Sequence, residues 1–176
     1  FGMSQPLSSQ LTNSSYTGTE GHLPSEEDIR SLQKSGPLAF ETASISIGQG
    51  ALTWSPLHAA AAYATLARDG LWKSPTIIDG ALQVENDLEV DQESVKLALG
   101  GLRDSVTKKY GTGSRIKYGG GSDEPIFNID GVKLWGKTGT AEAPPYRLTK
   151  DSTPLTGLDH SWFLVLAAPL GEDKPS

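Results

Sequence analysis

Cysteine is absent from the 176 residues, which excludes disulfides, thiol catalysis and thiolate-bound metal. A cysteine-free chain suits an oxidising or a reducing space, so the compartment stays open. Basic charge is not in excess either. Fifteen Lys and Arg stand against 21 Asp and Glu, a net charge of −6. Neutralising phosphates needs a basic face, so no nucleic-acid partner is expected. The densest basic spot, Lys108 and Lys109 with Arg115 and Lys117, reads as a solvated helix end. Long apolar runs are also missing: the longest, WFLVLAAPL from Trp162 to Leu170, has nine residues, too short to span a bilayer. No signal peptide is visible, and the chain begins at Phe1 rather than Met, so we expect an excised piece of a longer protein. The spacing of His22, His58 and His160 matches no ligand pattern, so no metal site is expected.

What is present is an ordinary, somewhat loop-rich composition: 36% hydrophobic and 20% charged, with 20 Gly and 11 Pro. The length suits one domain with a core. Residues 1 to 25 carry Ser, Thr, Gly and Gln without periodicity and read as an extended loop. Ser25, followed by Glu26, Glu27 and Asp28, caps a short helix that stops before Gly36-Pro37. ASISIGQG is an apolar piece closing on Gly48 and Gly50, glycines assigned to backbone geometry. Ser55-Pro56 starts an alanine-rich helix that Gly70 stops. From Pro75 to Val84 the pattern is a hairpin turning at Asp79-Gly80. Val95, Leu99, Leu102 and Val106 recur at helical spacing between Gln92 and Tyr110. IFNI, an Asp130-Gly131 turn and VKLWGKTGTAE read as two paired strands. SWFLVLAAP reads as a buried strand.

The stretch GVKLWGKTGT, Gly131 to Thr140, fits two chemistries. It satisfies G-x-x-x-x-G-K-[ST], a phosphate-binding loop, and it contains K-T-G-T, as in enzymes that attack penicillin-like amides with a serine. Either match arises by accident roughly a few times in a hundred, so context decides. A phosphate loop needs a compact turn and then a helix starting at Lys-Thr. Here Val-Lys-Leu-Trp alternates like a strand, and Gly139 and Pro144-Pro145 leave no room for a helix. A strand suits the second chemistry. A lysine ammonium attracts a substrate carboxylate, a threonine hydroxyl can bond it, and glycine lets substrate lie close. The next residue's N–H can then serve an oxyanion hole.

FGMSQPL, GHLPS, SISIGQGALTWSPLHAAAAYATLARDG, GKTGTAE and DHSWFLVLAAP occur in that order. In these pieces the chain resembles the C-terminal part of a penicillin-binding protein transpeptidase domain, of the high-molecular-weight division or elongation type. Residues 80 to 130 carry the resemblance weakly. It implies a mixed α+β fold, a partial β-lactamase/transpeptidase-like architecture with an antiparallel sheet that carries the KTGT strand and packs helices. It implies a D-alanyl-D-alanine transpeptidase that cross-links peptidoglycan stem peptides and is acylated by β-lactam antibiotics, with no cofactor. By similarity, Lys137 binds the substrate carboxylate and tunes the hydroxyl network. Thr138 and Thr140 contact that carboxylate, Gly139 keeps the strand open to substrate, and the Thr140 N–H forms half of the oxyanion hole.

One departure is serious. The family's S-x-N motif is absent, and S-x-x-K occurs at Ser31–Lys34, Ser105–Lys108 and Ser114–Lys117. With nineteen Ser and ten Lys, roughly one such match is expected by accident. Neither Ser31 nor Ser105 is expected to be catalytic: Ser31 has no helix after it, and Ser105 sits at the wrong end of a helix dipole. The expectation is therefore that residues 1–176 form the C-terminal part of a single transpeptidase domain, truncated at both ends. The nucleophile would come from the upstream part of the same polypeptide, membrane-anchored and facing the periplasm. The alternatives are a non-catalytic penicillin-recognising sensor or scaffold of the same fold and, more remotely, a phosphate-loop nucleotide hydrolase.

Overall fold

A computed structural model describes residues 21–32, 38–76, 79–143 and 146–175. These form two compact units, a smaller one of His22–Thr53 and Gly139–Trp162, and a larger one built mainly from Trp54–Thr138 and the segment from Phe163 onward.

In the smaller unit α1 (Glu26–Leu32) begins at Ser25. The Ser25 hydroxyl and N–H both donate to the Asp28 carboxylate at 2.7 Å. These bonds hold the Asp28 carboxyl below its ordinary range. The helix α2 (Leu38–Ser46) follows and packs on α1. The ASIS part of the expected apolar piece thus belongs to a helix, and only IGQG is turn. His22 and Thr53 exchange backbone bonds of 2.8 and 3.0 Å that close this segment.

In the larger unit α3 (Pro56–Ala67) has Ser55 as its cap and Pro56 in its first turn, where no N–H is needed. The Ser55 side chain accepts from the His58 N–H at 3.3 Å, and the His58 ring lies 2.7 Å from the Ser55 hydroxyl. His58 is thereby a buried capping residue. Ala59, Ala61, Ala62 and Ala67 are buried with Thr65, while Leu57 and Ala60 are exposed. Gly70 stops the helix at φ 100°, where a Cβ would meet the Val90 side chain at 2.7 Å.

The strands β1 (Leu71–Lys73) and β2 (Glu85–Asp87) pair antiparallel. The hairpin is therefore real, with a turn at Asp79-Gly80, but its ladder lies outside the expected Pro75–Val84 segment. Ile77 and Ile78 lie outside the described residues. The helix α4 (Gln92–Thr107) ends three residues short of Tyr110. Its Val95 and Leu99 form a core with Trp135 and Ala168, flanked by Leu66, Val90, Leu102 and Leu166. Burying those side chains is the main stabilising contribution here.

Pairing around β5 differs from expectation. The strands β3 (Arg115–Lys117) and β4 (Asp123–Pro125) pair with each other, so IFNI is not a strand. The Arg115–Asp123 ion pair, at 2.7 Å, sets that short hairpin's register. The partner of β5 (Val132–Glu142) is β6 (Asp159–Pro169). Gly131 forms a turn at φ 79° but does not join two strands of one hairpin. Burial along β6 alternates rather than covering both faces.

Candidate active site

VKLWGKTGTAE is an uninterrupted strand over all eleven residues of β5. No helix opens at Lys137-Thr138, so its N–H groups do not converge on a phosphate as a phosphate loop requires. In an antiparallel ladder one residue turns its N–H and C=O to the same edge, and its neighbours turn theirs away. In the larger unit the Gly131 carbonyl accepts from the Leu170 N–H at 3.1 Å. Odd-numbered residues therefore face β6. The carbonyl of Leu134, an even position, accepts instead from Arg103 of α4 at 3.0 Å. Thr138 follows the even rule.

Two features fix the approach to Lys137. Trp135 is buried, with the Arg103 guanidinium 5.5 Å above its ring. A Cβ on Gly136 would meet Val106 at 2.8 Å and the Leu164 carbonyl at 3.0 Å, so only glycine fits. Lys137 itself is exposed, and its ammonium donates to the Thr138 carbonyl at 2.7 Å. That carbonyl belongs to the edge turned away from β6, so the ammonium is drawn there too.

Thr138 is half-buried, and its hydroxyl donates to the Thr112 hydroxyl at 2.9 Å. Thr112 stands in a glycine-flanked turn against the end of α4. The Gly113 N–H donates to the Ser105 carbonyl at 3.0 Å, and a Cβ on Gly111 would lie 2.2 Å from that carbonyl oxygen. Sequence reasoning missed Thr112. The signal was the G-T-G of residues 111–113.

In the smaller unit Gly139 and Thr140 are exposed. A Cβ on Gly139 would touch the Trp162 Cβ at an ordinary 3.4 Å. The Thr140 carbonyl accepts from the Gln49 side-chain amide. Ala143 donates its N–H to the Leu158 carbonyl at 3.0 Å, so the same alternation turns the N–H and C=O of Thr140 away from β6. Sequence reasoning had assigned IGQG to backbone geometry alone and passed over Gln49.

None of the three S-x-x-K serines is poised for attack, and Ser114 is buried with its hydroxyl donating to the Gly111 carbonyl at 2.8 Å. The Ser31 hydroxyl donates to the Asp28 carbonyl at 2.7 Å within α1, and Lys34 lies outside the described residues. The Ser105 hydroxyl is buried with no hydrogen-bond partner among the described residues, closed off from any substrate. The Glu142 side chain also lies outside the described residues, while Tyr146 pairs its backbone with Leu155 across the following loop.

A groove of about 510 Å³ opens beside Trp135 between Leu99, Arg103, Lys133 and Lys174. Two of its lysines are paired with carboxylates: Lys133 with Asp173 at 3.1 Å, and Lys174 with Asp69 at 2.7 Å. Among the described residues no group of His, Asp and Glu could hold a metal ion, and no helix is long and apolar enough to cross a membrane.

A family model for the penicillin binding protein transpeptidase domain matches residues 5–168. No curated protein matches the chain.

Proposed function

The chain belongs to the penicillin-binding protein transpeptidase family, and from that premise we propose that it supplies the KTGT wall of a serine acyl-transfer site. The substrate is a D-alanyl-D-alanine stem peptide of peptidoglycan, and a β-lactam is its mimic. The serine stands in another segment of the same polypeptide, because S-x-N is absent here and the S-x-x-K serines Ser31, Ser105 and Ser114 are engaged or buried. That parent acts on the extracytoplasmic face of the membrane, where its substrate lies, held by an anchoring segment outside this sequence.

The observation that carries this reading is the direction of the even residues of β5. An extended peptide laid on that edge would meet the backbone N–H donors of the even residues, beside the Leu134, Thr138 and Thr140 carbonyls that already accept from Arg103, Lys137 and Gln49. Lys137 would attract its terminal carboxylate; the Thr140 hydroxyl would bond that group, and the Thr138 hydroxyl would do so on turning its O–H from Thr112 to it. The Thr140 N–H would stabilise the oxyanion formed when the serine oxygen adds to the penultimate carbonyl. Collapse of that adduct forms the acyl ester and expels the terminal D-alanine. An acceptor amine then takes the acyl group and restores the serine. With a β-lactam the ring amide opens, and the leaving nitrogen stays tethered.

The test is labelling with a fluorescent penicillin, followed by peptide mapping. We expect the full-length parent to be labelled on a serine outside residues 1–176 and this chain alone to stay unlabelled. A label on Ser31, Ser105 or Ser114 would refute the assignment. A parent that takes no label at all would refute the activity.

A further inference from the structure

The structure assigns Gln49 a positioning role toward Thr140, an inference that rests on the function proposed above. Gln49 lies between Gly48 at φ 78° and Gly50 at φ 73°, a backbone that other residues adopt at a cost. The turn is tied to the end of α2. The Ile47 and Gln49 N–H groups donate to the Ser44 carbonyl at 3.2 and 2.9 Å, and the Gly48 N–H donates to the Ile45 carbonyl at 3.0 Å. The Gln49 backbone is thus held before its side chain is engaged. Its amide then reaches 91 residues along the sequence to donate to the Thr140 carbonyl.

A residue of β5 has its N–H and C=O on one edge, and at Thr140 that edge is turned away from β6. The carbonyl gripped by Gln49 and the N–H that would polarise the acyl oxygen therefore belong to one residue and point to the same edge. Displacing Thr140 far enough to lose the Gln49 bond also moves its N–H off its target. Gln49 supplies to the carbonyl one bond of the kind a neighbouring strand would give. It touches neither substrate nor reacting atoms in this scheme.

Acylation of the full-length parent by a fluorescent penicillin, followed in time over a range of concentrations, separates non-covalent affinity from the acylation rate. Gln49→Leu removes the donor, and Gln49→Glu replaces it with an acceptor at nearly the same size. Both are expected to slow acylation by about 10- to 100-fold, as small misplacements do. Non-covalent affinity should change by less than about threefold, and thermal midpoints should stay near the parent's. Ser25→Ala, which removes the α1 cap in the same unit without touching Thr140, should lower the midpoint and leave the acylation rate alone. Gln49 variants that acylate at the parent's rate overturn the inference while leaving the proposed function standing. An equal loss in Ser25→Ala also overturns it, by reducing Gln49 to a structural residue. A parent that is never acylated removes both.

Discussion

The two halves of β5 are held by different physics. Up to Thr138 the strand is fixed by volume. Trp135 is buried at 4% exposure, Gly136 has no room for a methyl group, and a packed turn delivers Thr112 to Thr138. From Gly139 onward the contacts are ordinary or polar, and an amide from the IGQG turn holds Thr140. A strand carrying Lys137 and Thr138 on one half and Thr140 on the other thus has two failure modes. Damage to the packing of the first half, at Trp135 or Gly136, should be felt as lost stability. Damage to the second should be felt as lost rate in a protein that still folds.

Four substitutions in the full-length parent can break or sharpen that contrast. The largest expected effect is Trp135→Ala, about 3–5 kcal/mol of stability by chemical denaturation, since it empties the centre of the α4–β5 core. A loss under about 1 kcal/mol would remove the claim that packing holds the first half. Gly136→Ala comes next, at about 1–3 kcal/mol, because its Cβ meets Val106 and the Leu164 carbonyl. Smaller still is Thr112→Val, which keeps the shape but leaves the Thr138 hydroxyl without this acceptor, at about 0.5–1.5 kcal/mol. It should slow acylation by a few-fold, and an unchanged rate would show that the Thr138 hydroxyl does not need Thr112.

The smallest effect belongs to Asp91→Ala, which uncaps α4 and should lower the thermal midpoint by a few degrees. The Ser94 hydroxyl and N–H hold the Asp91 carboxyl below its ordinary value. Its contribution is therefore present above about pH 3.9 and lost as pH falls through the lower folded value. The gap between parent and variant should close on acidification through that window. A gap that persists at the acid end would mean the cap does not act through its charge.

How much of this was legible in the residues follows how local each signal is. Ser55-Pro56 and Gly70 bracket α3, and Val95 and Leu99 mark the buried face of α4, because caps and helical spacing act within a few residues. VKLWGKTGTAE was readable as a strand from its alternating, β-favouring side chains. Its partner was not. IFNI lay nearer in sequence, but Arg115 ties Asp123–Pro125 to β3, and the distant DHSWFLVLAAP supplies the paired strand. The KTGT motif was legible because its chemistry sits in four consecutive residues. Thr112 and Gln49 were not, since each acts on the motif from 26 and 91 residues away.

Penicillin acylation of the parent, with and without the lysine of KTGT, tests the central claim most directly. We expect Lys137→Ala to slow acylation by about 100-fold or more while leaving the thermal midpoint unchanged, because Lys137 is exposed. An unchanged acylation rate in a folded Lys137→Ala protein would contradict the role given to this strand.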